Sequence, residues 1–259
     1  MPIEVTLKDH IATVLINRPE AMNSIDPETR GQMYEAWARI REDKEIHVAI
    51  ITGAGNKAFC TGADLKKTNP PRESFAELLL MENNPGNITH TFGGTDKPII
   101  AVVNGYAMGG GMELALACDI CIASANASFA LSEVRIGSLP ASGSVQRLPR
   151  SIGRSDAMLM ILTGDRINAA EAMRMGFVSK VVPQGELMPA AYAIARRIAQ
   201  NAPLSVRALK RLVTQGTDMP LVHALDLDRY MWGLLHNTED RIEGRKAFAE
   251  KRAPVFKGK

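Results

Sequence analysis

The chain has 259 residues, a formal charge of +3, 46% hydrophobic residues, 23% charged residues and 5% aromatics. That length buries a sizeable core without disulfides, the composition excludes disordered and collagen-like classes, and no apolar run reaches transmembrane length, so no membrane span is expected. The small net charge does not demand a polyanionic partner, although residues 241–259 gather seven basic side chains (Arg241, Arg245, Lys246, Lys251, Arg252, Lys257, Lys259) against Glu243 and Glu250.

Met1 to Asn17 alternates as a strand does and carries Glu4 and Asp9; it does not read as a signal or Arg-rich transit peptide. Asn17-Arg18-Pro19 is a turn signal, and Asp26 then offers an N-cap with Pro27 at the first helical position. Met33, Ala36, Trp37 and Ile40 fall on one face of the predicted helix. Val48 to Thr52, closed by Gly53-Ala54-Gly55, predicts a strand buried on both faces, and Ile99 to Val103, stopped by Asn104-Gly105, predicts another. Between them, Thr68 to Gly86 is Pro-rich and polar at its ends around an apolar Phe75 to Met81, which predicts a loop holding a short helix beside a ligand site.

Gly109-Gly110-Gly111 opens a helix predicted from Met112 to Ala117. The recurrence of strand, glycine turn and helix argues for an α/β fold. Cys118 and Cys121 match half of a zinc site, but Asp119 and Ile120 lie between them in an apolar run and no second half follows; core thiols and no metal are expected. From Ser155, read as an N-cap, the pattern is almost wholly helical: Asp156 to Leu162, Ala169 to Met175, Leu187 to Gln200, Ala202 to Gln215 and Pro220 to His236, with one strand near Phe177 to Val182. The boundary is placed at Ala202, dividing a body of residues 1–201 from a helical part of residues 202–259.

Three segments could carry chemistry. Successive glycines before a helix bring backbone N–H groups close to a ligand at the positive end of the helix dipole, although they also serve tight packing. Glu113 follows in the first turn, where an acid is stabilised whether or not it has another role. Glu133 is an acid in a largely apolar stretch, whose plain reading is a salt bridge to Arg135 or an exposed loop acid. Lys57 to Leu65 reads as a second strand-to-helix turn with exposed N–H groups and a cap-like Asp64.

Together, Ala58-Phe59-Cys60-Thr61-Gly62-Ala63-Asp64-Leu65, Lys97-Pro98, Asn104 to Leu114, Ala127 to Gly137, Gln146-Arg147-Leu148, Leu162-Thr163-Gly164 and Glu250-Lys251-Arg252 resemble the crotonase (enoyl-CoA hydratase/isomerase) superfamily over nearly the whole chain. The resemblance implies an α/β crotonase-like (ClpP/crotonase) ββα spiral core with a helical C-terminal trimerisation region, assembled as a homotrimer or as a homohexamer of two trimers. It implies an acyl-CoA thioester as substrate, with its oxygen held by the N–H groups of Ala63 and Gly110; one such preorganised donor contributes about 2.7 to 4 kcal/mol to a barrier. Both family glutamates are matched, by Glu113 for water and Glu133 for proton transfer at Cα, which favours enoyl-CoA hydration.

Coenzyme A is expected along Ala63, Asp64, Leu65 and Lys66, near Gly109 and Gly110, with Ala21 and Met22 to one side and Lys257 at the phosphates, on the same or a neighbouring subunit. The resemblance implies no metal or redox cofactor, coenzyme A being part of the substrate. A cytoplasmic location is expected, since Lys257-Gly258-Lys259 is not a peroxisomal address. Pro140-Ala141-Ser142-Gly143-Ser144 departs from the family's Pro-Gly-x-Gly-Gly, and Ser132 stands where many relatives carry proline. Segments from Phe129 to Glu133 and from Ala247 to Lys259 resemble carnitinyl-CoA dehydratases, an alternative with the same two-acid logic. An enoyl-CoA isomerase, needing one principal carboxylate, is less favoured. RNA binding, an alternative of another class, draws on the basic tail alone; no aromatic RNA-binding motif is visible.

Overall fold

The computed structural model describes residues 1–67, 92 and 94–259, so the predicted loop from Thr68 to Gly86 and its helix from Phe75 to Met81 lie outside the described residues. The first strands, β1 (Ile3–Lys8) and β2 (Ile11–Ile16), form an antiparallel hairpin rather than one long strand. Asp9 and His10, at φ of 52° and 62°, make the two-residue turn, and positive φ at both positions suits the twist of the hairpin. Helix α1 (Pro27–Glu42) is capped as expected: Asp26 accepts from Thr29 N at 2.9 Å, and Met33, Ala36, Trp37 and Ile40 are buried.

A long strand, a short strand and a turn then repeat. β3 (Val48–Gly53) is followed by β4 (Ala58–Cys60), β5 (Ile99–Val103) by β6 (Tyr106–Met108), and β7 (Ile120–Ser124) by β8 (Ser128–Ala130). The long strands β3, β5 and β7 lie parallel in a six-stranded sheet ordered β1-β2-β3-β5-β7 and closed by β10 (Lys180–Val182), and the short ones pair in a second sheet ordered β4-β6-β8 and closed by β9 (Ile167–Asn168). Two strands therefore lie beyond Ser155: β9 (Ile167–Asn168) and β10 (Lys180–Val182).

Period-2 alternation divides the apolar side chains of the long sheet between two cores. Ala49, Ile51, Ile99, Ala101 and Val103 join the larger core with Trp37 and Phe59. Val48, Ile50, Ile100, Val102 and Ile122 face the other side, covered by Leu187, Ala191 and Ala195 at four-residue spacing on one helix. Cys121 is buried and Cys118 half-buried; burial pushes the Cys121 thiol up to about 12, as for an inert core thiol.

Helices α2 (Gly110–Ala117), α3 (Ser144–Ser151), α4 (Arg154–Thr163), α5 (Ala169–Met175), α6 (Leu187–Ala199), α7 (Pro203–Gly216), α8 (Leu221–Leu235) and α9 (Glu239–Ala249) complete the described α-helices. The predicted Ser155 cap is corrected: the cap of α4 is Gly153, and Ser155 is already inside the helix. No helix among the described residues is long and apolar enough to cross a membrane.

Candidate active site

After β4 the chain turns through Gly62, whose φ of 85° lies in the left-handed region. Ile25 N donates to Gly62 O at 2.8 Å and Asp64 N donates to Ile25 O at 3.0 Å, a one-residue parallel bridge centred on Ala63. This pattern uses the groups flanking Ala63 and turns the N–H of Ala63 itself away from Ile25; among the described residues it has no acceptor. Gly110 begins α2, so its N–H has no partner within the helix. A methyl group on Gly62 would stand 2.8 Å from Gly110 N, and one on Gly111 would overlap Cys60 O. The absence of side chains at these positions thus lets the two donor-bearing turns close on each other.

Glu113 lies in the first turn of α2 and is 3% exposed. Its Oε1 accepts from Ser142 N at 2.7 Å, Ser144 N at 3.3 Å and Ser144 Oγ at 3.0 Å. Because Ser144 begins α3, this carboxyl also caps a second helix, where the dipole favours negative charge. Gly143, at φ of 93°, makes the bend between the two serines, and Arg147 Nη1 ties the bend back by donating to Ser142 O at 2.7 Å.

Glu133 begins a 3-10 turn, Glu133–Ile136. The plain reading of a salt bridge to Arg135 is not what the structure holds: Arg135 pairs with Asp165. Glu133 Oε2 is buried without a hydrogen-bond partner, and Oε1 would lie 3.0 Å from a methyl group on Gly109. Burial first, and the nearby Glu113 charge in addition, push the Glu133 carboxyl above its ordinary value, against its own main-chain hydrogen bond.

All four groups line one cavity of about 330 Å³, together with Leu65, Met108, Gly109, Ser132, Ile136, Ser138, Leu139, Ala141 and Ser142. Larger hollows, of about 400 Å³ around Thr13 and Thr52 and about 490 Å³ between Ile198 and Val213, bring no such pair of carboxyls together. The site cavity can therefore hold an oxygen at two main-chain donors while two carboxyls exchange protons beside it.

The remaining expected residues are less central. Asp64 is tied to Arg18 at 3.0 Å, which also meets Asp26 at 3.1 Å, and the Arg18 hydrogen bond holds the Asp64 carboxyl below its ordinary value. Asp64 thus anchors the Ala63 loop, and its side chain accepts from Lys66 N at 3.1 Å. Met22 O accepts from Thr61 Oγ1 at 3.3 Å, placing Ala21 and Met22 beside the loop but not in the cavity lining. Lys257 also lies outside the lining; its N donates to Asp240 Oδ1 at 2.6 Å on α9. The sequence alone does not show the role of Ser142 and Ser144 toward Glu113, although a glycine between two serines signals a bend with donors to offer.

The sequence profile of the enoyl-CoA hydratase/isomerase family matches residues 6–259. The chain is 50% identical over 258 residues to the (E)-benzylidenesuccinyl-CoA hydratase of Thauera aromatica, covering 100% of both chains. It is 42% identical to the carnitinyl-CoA dehydratase of Salmonella typhi, covering 99% of this chain and 98% of that one. Its fold matches the crystal structure of an enoyl-CoA hydratase from Bacillus anthracis at a TM-score of 0.91, with 36% identity and full coverage of both. An enoyl-CoA hydratase from Mycobacterium marinum matches at 0.90 and 35%, covering 100% of this chain and 99% of that one.

Proposed function

This chain belongs to the enoyl-CoA hydratase/isomerase family of the crotonase superfamily, and from that premise we propose that it is a hydro-lyase that reversibly adds water to a 2-enoyl-CoA thioester. In this reading the thioester oxygen takes hydrogen bonds from Ala63 N and Gly110 N. Water attacks Cβ as Glu113 removes its proton, electron density moves onto the thioester oxygen as an enolate, and Glu133 delivers a proton to Cα on the same face. The two main-chain donors stabilise the charge where it develops, so no metal or redox cofactor is needed.

One observation carries the reading: two carboxyls of unlike environment and two main-chain donors share a single cavity, and the carboxyl assigned as acid is the one pushed toward its protonated form. Glu113→Gln and Glu133→Gln are each expected to lower crotonyl-CoA hydration by two or more orders of magnitude, followed at the thioester-enone absorbance. Turnover near wild type in either variant would refute the paired-acid scheme.

The acyl group is a separate question for a substrate panel. (E)-Benzylidenesuccinyl-CoA and carnitinyl-CoA, named for two relatives, belong in it with crotonyl-CoA. Leu65, Ile136 and Leu139 give the cavity an exposed apolar rim, which favours an acyl group with an apolar substituent over a small bare one. Isomerisation remains the alternative within the family, and the same panel tests for it. RNA binding has less support: Arg252 of the basic tail is already paired with Glu243 and Glu250.

Residues 202–259 are assigned to assembly as a homotrimer or a homohexamer. Lys257 would then reach coenzyme A phosphates across a subunit boundary rather than within its own chain.

A further inference from the structure

Ser144 stands where the family pattern has glycine, is fully buried, and places its hydroxyl 3.0 Å from Glu113 Oε1. The same oxygen takes the main-chain donors of Ser142 and Ser144, whereas Oε2 takes none among the described residues. Since Glu113 lines the cavity, Oε2 is its open oxygen. The two oxygens of one carboxylate are thereby made unequal: one is saturated by protein donors, the other is free for water.

We propose that Ser144 is a positioning residue, whose hydroxyl fixes Oε1 of Glu113 so that Oε2 alone faces the substrate and takes the proton of the attacking water. This rests on the hydration chemistry proposed above. Two main-chain donors and a backbone already held by Arg147 would remain if the residue were glycine. The hydroxyl adds a side-chain donor in a water-poor pocket, where a hydrogen bond to a charged group is stronger than one between neutral groups. Without it, the two main-chain donors alone hold Oε1, and the carboxylate plane can tilt so that Oε2 leaves the line of the attacking water. The serine is thus a refinement of the glycine pattern, not a defect in it.

The test is a double-mutant cycle on the full-length protein with crotonyl-CoA and the panel substrates. Ser144→Ala and Ser144→Gly are expected to lower kcat about tenfold or more while KM stays within about twofold. In a Glu113→Gln background, Ser144→Ala is expected to lower the residual rate by less than about twofold, because the group it orients is gone. Circular dichroism and size-exclusion profiles like those of wild type establish that the variants are folded and assembled. Wild-type kcat in both Ser144 variants would overturn the role of Ser144 and leave the hydratase reading standing. An equal loss in the Glu113→Gln background would also overturn it, by showing that the serine acts on the loop and not through Glu113. Wild-type protein that turns over no thioester in the panel would overturn the hydration chemistry itself, and the role of Ser144 with it.

Discussion

Burial, reinforced by the charge of Glu113, presses the Glu133 carboxyl toward its neutral form, and this couples catalysis to stability. A carboxyl whose pKa is higher in the folded chain than in the unfolded chain binds its proton more tightly when folded. Its contribution to stability is therefore fully present below the unfolded value and is lost as pH rises through the folded one. Above the ordinary glutamate range this carboxyl is a burden on the fold, whether it takes up a proton or carries its charge, and Glu133→Gln should raise the unfolding midpoint there even as it lowers turnover by two or more orders of magnitude. The gain should shrink as pH falls through the window between the raised and the ordinary glutamate value. Thermal unfolding of wild type and variant across pH 4 to 8 (roughly the range in which carboxyls titrate) measures it. A variant less stable than wild type at neutral pH would mean that the unpartnered Oε2 is not the strain it looks like.

At the next scale, the junction of β4 with α2 sets the distance between the two main-chain donors. Gly111 has no room for a side chain against Cys60 O, whereas Gly31, exposed within α1, has nothing among the described residues within 4 Å of an added methyl group. Gly31→Ala should stabilise the protein by about 0.5 to 1 kcal/mol and raise Tm by about 1 to 4 °C, since alanine has the lower helical entropy cost. Gly111→Ala should lower Tm and activity together by pushing α2 off β4. If calorimetry shows the two substitutions behaving alike, the close approach of α2 to β4 is wrong. Signals confined to single elements were legible in sequence: Asp26-Pro27 marked the start of α1, and unbroken apolar runs marked β3 and β5. The short strands β6 and β8 were not, because three residues carry too little periodicity and owe their pairing to the neighbouring sheet. Helix α3 hid behind Pro149, and α9 behind Gly244 and a charged surface, although the cap of α9 by Thr238 was readable. Glu113 and Glu133 could be singled out by type and setting, but their convergence on one cavity is a tertiary fact, as is the Ser144 hydrogen bond.

At the scale of the whole molecule, α7 and α8 leave more apolar surface open than a lone chain ordinarily tolerates. Helix α8 has no buried residue, yet Leu221, Val222, Leu225, Tyr230, Trp232 and Leu234 are all exposed on it, and Leu209 and Val213 are exposed on α7. The chain end is tethered nearby, with Lys257 N and Gly258 N donating to the buried Asp240 at 2.6 and 2.9 Å, so the tail is held against the same helical layer. Closed symmetry would bury such a surface in identical copies, and in the reading proposed above one copy's tail reaches another's coenzyme A. Light scattering after size exclusion should therefore give a trimer or hexamer mass for wild type, and Leu225→Glu combined with Trp232→Glu should shift it toward monomer. Because the Ala63 loop, α2 and both carboxyls belong to one chain, the dissociated form should keep its acidic pair but lose thioester affinity, seen as a raised KM where Lys257 of a neighbour is no longer in reach. A monomeric wild type with full activity would show that the C-terminal helices serve something other than assembly, and a monomeric variant with unchanged KM would remove Lys257 from coenzyme A binding.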